Sequence, residues 1–194
     1  MKNTIETYWS CDLETDGTIP GKYSISSIGF CVAGWRGEEG FRSSDLNNPI
    51  GIYKELKPIS DNYEPEALEV TGFNREQLKQ TGEDPREALE EINDFIESNS
   101  EGKPVFVAYP LAFDWMFYYW YTQNFLESFS PFGFSGGIDI KTLYSGITGE
   151  PLKRSGLSHW PEDLAETPFP HTHNALDDAI QQASVFQNLM NEKF

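Results

Sequence analysis

The sequence has 194 residues and a mass of 22.1 kDa, of which 38% are hydrophobic and 14% aromatic. This size predicts one globular domain over residues 1–194, and the aromatic content excludes a disordered polymer. Fourteen Lys and Arg stand against 31 Asp and Glu, and the formal net charge of −17 opposes a protein that grips long DNA through phosphate contacts.

The N-terminal part of the chain predicts β-strands. Apolar runs at residues 8–13 and 25–33 are separated by a turn-rich segment at 16–21, and residues 52–56 alternate weakly before Pro58. Residues 36–51 hold three Gly, two Ser, two Asn and a Pro, which predicts a loop.

The rest of the chain switches to helical periodicity. Asp84 and Pro85 suit the N-cap and first position of a helix whose apolar residues recur at spacings of three and four through about Ser98. A short buried strand, an aromatic helix and a second short strand follow at residues 105–108, 113–125 and 138–140. Helical spacing then predicts a last helix over residues 174–190. This order predicts an α/β domain in which helices cover a mixed sheet.

The composition also bears on the compartment. No window approaches 18 consecutive apolar residues, which predicts no membrane span and no membrane partner. Residues 1–6 lack the apolar segment of a secretion signal. Two cysteines form neither a disulfide framework nor a four-ligand zinc site, so we expect a cytoplasmic protein.

Asp12 and Glu14 are the first candidate functional residues. On a strand, residues two apart point to the same face, which puts the carboxylates roughly 6–7 Å apart along the chain. Two such groups are costly to keep ionised unless a cation or a proton lies between them. Because Asp-x-Glu also occurs by chance at solvated strand ends, the pair alone leaves both interpretations open.

Two further sites of interest lie at predicted helix starts. Asp114 is either an N-terminal acid stabilised by the helix dipole or a functional acid, and these interpretations are compatible. If Asn174 is the N-cap of the last helix, His173 comes just before it and Asp178 lies about one turn in. A His beside a helix-borne carboxylate can ligate a metal or act as a general base, whereas a lone His at a helix start is commonly a solvated loop residue.

Asp177 and His171 are the neighbours that this interpretation sets aside. Asp177 lies about 100° around the helix from Asp178, so the two cannot face the same ion. His171 comes two residues before His173 along the chain.

The ordered set of these residues resembles the three motifs of the DEDD-type 3′–5′ exonucleases. Asp12-Leu13-Glu14 resembles the first motif, Phe113-Asp114 the second, and His173 followed by Asp178 the third. The heptapeptide at 173–179 is the most specific match and indicates the histidine-bearing subclass, which includes polymerase proofreading subunits, ribonuclease T and oligoribonuclease. The resemblance covers nearly the whole chain and implies a ribonuclease H-like fold, a mixed β-sheet flanked by helices on both faces.

The resemblance implies a metal-dependent 3′–5′ exonuclease that removes 5′-mononucleotides from the 3′ end of single-stranded or short DNA or RNA. It implies two Mg²⁺ or Mn²⁺ ions held by Asp12, Glu14, Asp114 and Asp178, whose oxygen atoms suit hard cations. It also implies that His173 takes the proton from the attacking water, as an imidazole can do near neutral pH.

The substrate contacts implied by the family fall on Leu13, Thr15 and Phe73, the last through stacking on the terminal base. The sequence departs from the family at two places. Tyr109-Pro110 occupies the position of a common His-Asn pair, and Thr71 replaces a His before Gly72.

Two divalent ions would cancel four of the 17 net negative charges, which favours short or single-stranded ends over long duplex. Three other functions stay compatible with the residues: hydrolysis of dinucleotides or other small phosphodiesters, non-catalytic nucleic-acid binding, and an acidic scaffold. The chain could act alone, as a homodimer, or with a polymerase or repair partner.

Overall fold

A mixed β-sheet forms the centre of the molecule. The computed structural model describes residues 5–127 and 130–192, and within them six strands join in one sheet. The strands are β1 (Glu6–Thr15), β2 (Ile25–Gly37), β3 (Gly40–Ser43), β4 (Gly51–Glu55), β5 (Lys103–Ala108) and β6 (Gly137–Asp139). Their order is β3-β2-β1-β5-β6, with β4 also paired to β2. β1 runs antiparallel to β2 and parallel to β5, and β6 runs parallel to β5.

Helices cover both faces of this sheet, as predicted. They are α1 (Pro65–Thr71), α2 (Arg75–Thr81), α3 (Pro85–Ser98), α4 (Leu111–Phe125), α5 (Ile140–Thr148), α6 (Glu162–Ala165) and α7 (Ala175–Asn191). One hydrophobic cluster joins α3 and α4 to one face, and it includes Trp9, Cys11 and Leu13 of β1. A second cluster joins α5, α6 and α7 to the other face, where Tyr8 of β1 lies.

The predicted loop at 36–51 is wrong in part, because β2 continues to Gly37 and β3 follows it. Gly40 has a φ of +102°, which lets the chain turn back sharply after β2. Phe41 then packs on Tyr8 and Phe186, with ring centroids 5.9 and 5.8 Å apart. These contacts across the sheet outweigh the loop-like local composition.

The aromatic helix begins at Leu111, two residues before its predicted start. Its buried aromatic residues belong to the hydrophobic cluster on this face of the sheet, and further aromatic residues on its flanks are partly buried against the same cluster. Tyr118 alone lies 5.5 Å from both Phe30 and Phe106 and 5.8 Å from Phe132, between ring centroids. The unusual composition is therefore explained by packing.

The strand predicted at 138–140 ends one residue early. Asp139 is the N-cap of α5, and its Oδ1 accepts a hydrogen bond from the Thr142 amide at 2.6 Å. Ile140 is consequently the first residue of a helix rather than the last of a strand.

Within the described ranges, each helix is too short or too polar to reach from one side of a lipid bilayer to the other. We propose the predicted single domain over 1–194, because β1 to β6 form one sheet and α7 packs on that sheet. Residues 1–4, 128–129 and 193–194 lie outside the described residues. The prediction about a signal segment at 1–6 falls mostly on them.

Candidate active site

The C-terminal end of β1 presents two carboxylates on one face of the sheet. The alternation of the strand turns Leu13 toward α3 and α4, and turns Asp12 and Glu14 toward α7. Asp12 is half-buried, and Glu14 is 8% exposed. The predicted shared face of the two carboxylates is therefore present.

The first turn of α7 brings a third carboxylate to this pair. Asn174 caps the helix, as predicted, and its Oδ1 accepts hydrogen bonds from the amides of Leu176 and Asp177. Asp178 then falls one turn into the helix and is 1% exposed. Ligand atoms of Asp12, Glu14 and Asp178 all lie within 4.8 Å of one another.

A glycine in β2 permits this close approach of α7 to the sheet. Gly29 lies opposite Asp12 in the β1–β2 pairing. A Cβ at Gly29 would lie 2.4 Å from the carbonyl group of Ala175 and from the amide of Leu176. The sequence analysis did not single out Gly29, although a Gly inside an apolar strand often marks a close backbone approach.

Asp114 reaches the end of β1 from the opposite layer. It lies in the first turn of α4, is 3% exposed, and its Oδ1 accepts a hydrogen bond from the Leu13 amide at 3.1 Å. It is outside the group of three carboxylates, but its negative charge acts on Asp12. The four predicted acids thus come from both faces of the sheet.

Burial and nearby negative charges raise the pKa of three of these acids, Asp12, Glu14 and Asp114. Burial, and then the charges of Asp114, Glu14 and Asp178, raise the pKa of Asp12 well above its usual value. Burial and the charge of Asp178 raise the pKa of Glu14 to about 7. Burial raises the pKa of Asp114 to about 8, although the Leu13 amide opposes the shift. Buried carboxylates in this arrangement suit a divalent cation, which binds oxygen ligands and replaces the protons.

The loop before α7 is folded around the Asp178 carboxylate. Asp178 Oδ1 accepts a hydrogen bond from the Thr172 amide at 2.8 Å, and Asp178 Oδ2 accepts one from the His173 amide at 2.9 Å. His173 has a φ of +59°, an uncommon conformation for a residue other than Gly. Its Nδ1 lies 3.8 Å from Glu14 Oε1, so the imidazole is beside the carboxylates.

The structure also brings His171 to this site, which the sequence analysis did not. The Nδ1 atom of His171 lies 3.0 Å from Asp178 Oδ2, and its ring centroid lies 4.4 Å from that of His173. The turn at His173 produces this proximity. Asp177, by contrast, is exposed and accepts a hydrogen bond from the Thr172 hydroxyl at 3.2 Å, outside the group of carboxylates.

The predicted substrate contacts differ in how accessible they are. Leu13 and Thr15 are 5% and 7% exposed, and the Thr15 hydroxyl donates to the carbonyl of Gly17 at 2.8 Å. Phe73 is half-buried and lines a depression of about 390 Å³ with Tyr63 and Leu68. The Thr15 side chain is thus occupied within its own turn, whereas Phe73 is partly exposed at the wall of this depression.

A second cavity, of about 300 Å³, borders the carboxylates directly. Asp12, Tyr109, Thr167 and His171 contribute to its wall. Tyr109, where the sequence departs from the family, accepts a hydrogen bond at its hydroxyl from the Leu157 amide at 2.9 Å. The Tyr109 side chain therefore connects the end of β5 to the segment between α5 and α6.

No protein-family model matches the sequence. The chain is 36% identical over 192 residues to the 3′-5′ DNA exonuclease Cap18 of Escherichia coli, covering 96% of this chain and 93% of that protein.

Solved structures share the fold at low identity. The nuclease domain of 3′hExo, a DEDDh family member bound to rAMP, matches with a TM-score of 0.68 and 14% identity over 100% of this chain and 98% of that one. Cell-death related nuclease 4 matches with a TM-score of 0.68 and 14% identity over 95% of this chain, which spans 64% of its length. E. coli exonuclease I in complex with a dT13 oligonucleotide matches with a TM-score of 0.64 and 16% identity over 95% of this chain, which spans 40% of its length. The predicted ribonuclease H-like architecture is confirmed.

Proposed function

The chain belongs to the DEDDh 3′–5′ exonucleases, and we propose that it degrades single-stranded DNA from the 3′ end with the help of two Mg²⁺ or Mn²⁺ ions. The observation that carries this proposal is the group formed by Asp12, Glu14 and Asp178, whose ligand atoms lie within 4.8 Å of one another beside His173. A family relationship to enzymes also argues against a non-catalytic binding module or a scaffold.

The divalent cations would be held by the four predicted acids, Asp12, Glu14, Asp114 and Asp178. The donor set supports this assignment, because carboxylate oxygens are the ligands that Mg²⁺ and Mn²⁺ prefer. When bound, the cations supply positive charge that offsets the negative charge of the attacked phosphodiester. The raised pKa values of Glu14 and Asp114 mean that cation binding releases protons from the site.

His173 takes a proton from the water that attacks the last phosphodiester. The water oxygen bonds to phosphorus, the bond from phosphorus to the 3′ oxygen breaks, and that oxygen takes up a proton. The products are a 5′-mononucleotide and a strand shortened by one residue with a free 3′ hydroxyl. The Asp178 carboxylate supports this role, because it accepts a hydrogen bond from the His173 amide and so holds the loop that carries the imidazole.

The substrate assignment has three supports. The E. coli relative is named as a DNA exonuclease, and exonuclease I was solved with a single-stranded DNA oligonucleotide. The net charge of −17 favours single strands and short ends, which need few phosphate contacts, over long duplex. Phe73 offers an aromatic ring on which any of the nucleic-acid bases can stack.

Digestion of 3′-labelled and 5′-labelled single strands of DNA and RNA, with Mn²⁺ or Mg²⁺, tests this function. We expect release of mononucleotides from the 3′ end of DNA, loss of activity on chelation, and loss of activity in Asp12→Asn. Asp177→Asn is the matched control, because Asp177 is exposed and lies outside the group of carboxylates. Faster digestion of RNA would overturn the choice of DNA, and equal rates for the parent and Asp12→Asn would overturn the site.

A further inference from the structure

The side-chain amide of Gln182 joins three elements at the proposed site. Gln182 lies four residues after Asp178 on α7, so both side chains project from the same side of the helix. Its Nε2 donates a hydrogen bond to Asp12 Oδ1 at 2.6 Å. Its Oε1 accepts one from the Tyr109 amide, just after β5, at 2.8 Å.

The main chain fixes the direction of this amide. A backbone N–H can only donate, so the group that faces Tyr109 must be the carbonyl oxygen of Gln182. The NH₂ group is then left to face Asp12, and the reverse orientation would pair a donor with a donor. Gln182 is therefore an oriented donor rather than a free surface amide.

Asp12 is the carboxylate on which the charges of all three other predicted acids act. It lies between Glu14 on its own strand, Asp178 on α7 and the charge of Asp114 from the opposite layer. With Oδ1 bonded to Gln182, the plane of the carboxylate is held and the remaining lone pairs stay available for a cation. The 2.6 Å separation between Gln182 Nε2 and Asp12 Oδ1 shows that the contact is direct.

We propose that Gln182 is a positioning residue, which holds the Asp12 carboxylate in the orientation that binds a divalent cation. This inference rests on the proposed function, because it requires that Asp12 is a cation ligand. Partners that orient metal ligands commonly change metal affinity or activity by about 10–100-fold when they are removed. Replacing Gln182 is therefore expected to weaken the binding of the cation, more than it changes the fold.

Calorimetric titration of the full chain with Mn²⁺ tests the inference without relying on nuclease activity. Gln182→Met keeps the length of the side chain and removes both hydrogen bonds, and we expect it to bind Mn²⁺ about 10-fold more weakly than the parent. Gln181→Met is the matched control, because Gln181 borders the same cavity and forms no side-chain hydrogen bond among the described residues. We expect its Mn²⁺ affinity to equal that of the parent.

A second variant and a second measurement separate positioning from a structural role. Gln182→Asn keeps the amide but is one methylene too short to reach both partners, so it should also weaken Mn²⁺ binding. Weaker Mn²⁺ binding in both variants supports positioning, whereas a purely structural residue would lower the thermal midpoint of the metal-free protein and leave the Mn²⁺ affinity unchanged. If Gln182→Met does not fold, the result for Gln182→Asn decides.

The titration also distinguishes the inference from the function on which it rests. If the parent binds Mn²⁺, Asp12→Asn does not, and the Gln182 variants bind like the parent, the inference alone is overturned. If the parent and Asp12→Asn give the same titration, the proposed cation site is overturned, and the role of Gln182 with it.

Discussion

Gly29 lies directly opposite Asp12 across the β1–β2 pairing, and a Cβ at Gly29 would lie 2.4 Å from the backbone of Ala175. The strand that faces Asp12 therefore provides the space in which the first turn of α7 lies. Because that turn carries Asp178, the distance between Asp12 and Asp178 depends on the absence of a side chain at Gly29.

Gly29→Ala is expected to displace the start of α7 and to impair the proposed site. A methyl group against backbone atoms cannot be accommodated by a rotamer change, so we expect a loss of stability of about 1–3 kcal/mol. Activity should fall by a larger factor than stability explains, since Asp178 moves with the helix. Gly37→Ala in the same strand is the control, because its Cβ would meet nothing within 4 Å. Denaturant unfolding and digestion rates measure both effects, and similar behaviour of the two variants would contradict the prediction.

The two histidines before α7 are expected to behave differently. His173→Ala should lower the digestion rate by about 10²–10⁴-fold, the usual contribution of a general base. His171→Ala should lower it by about 10-fold or less, because Asp178 keeps its hydrogen bonds from the Thr172 and His173 amides. Single-turnover rates on a labelled strand make the comparison. The reverse order of the two effects would assign the proton acceptor to His171.

The stability of the metal-free protein is expected to fall with rising pH because of Glu14. Its pKa rises from 4.5 to about 7 in the folded state, so the folded protein holds this proton more tightly than the unfolded chain. That contribution to stability is complete below about pH 4.5 and is lost as the pH rises through about 7.

Saturating Mg²⁺ should therefore stabilise the protein more at pH 8 than at pH 5.5, where protons compete for the same oxygens. A shift of the unfolding midpoint by about 5–10 °C at pH 8 is expected for a ligand far above its dissociation constant. Glu14→Gln should reduce both the pH dependence and the Mg²⁺ shift. A shift that is equal at the two pH values would argue against cation binding by these carboxylates.

A buried ion pair between Asp16 and Arg75 connects the end of β1 to α2. Arg75 Nη1 lies 2.6 Å from Asp16 Oδ2, and the two side chains are 7% and 1% exposed. Arg75→Met leaves a buried carboxylate without its partner, so we expect a loss of about 3–5 kcal/mol in the free energy of unfolding.

The double variant Arg75→Met/Asp16→Leu should recover part of this loss, because it removes both charges together. Arg42→Met is the control, since the Arg42–Glu101 pair is exposed and such pairs contribute about 0–1 kcal/mol. Urea unfolding of the three variants gives the comparison. A loss for Arg75→Met no larger than for Arg42→Met would contradict the importance of the buried pair.

Local sequence patterns predicted the long elements and the carboxylates. The capping residues Asp84 and Asn174 and the helical spacing after them fixed α3 and α7, because caps and apolar faces are encoded within a few residues. Alternation along β1 similarly predicted that Asp12 and Glu14 share a face. These features depend on neighbours in sequence, which a single chain reveals.

Features that depend on distant contacts were missed. α1 and α2 have seven residues each, and α1 buries none of them, so neither shows a clear apolar face. Gln182 and His171 reach the site only because α7 docks on Gly29 and because the chain turns at His173. Gly29 signals a close approach but does not say which helix docks there, and nothing local distinguishes Gln182 and His171 from ordinary surface Gln and His.

The location of Asp178 and His173 has a consequence for synthesis of the protein. Asp12 and Glu14 belong to β1 and leave the ribosome before Asp178 and His173, which belong to α7 and the loop before it. A nascent chain that has formed its sheet still lacks one proposed cation ligand and the proposed proton acceptor. The proposed site is therefore complete only after α7 has been translated and has docked on the sheet, so a partly synthesised chain should not cleave nucleic acid.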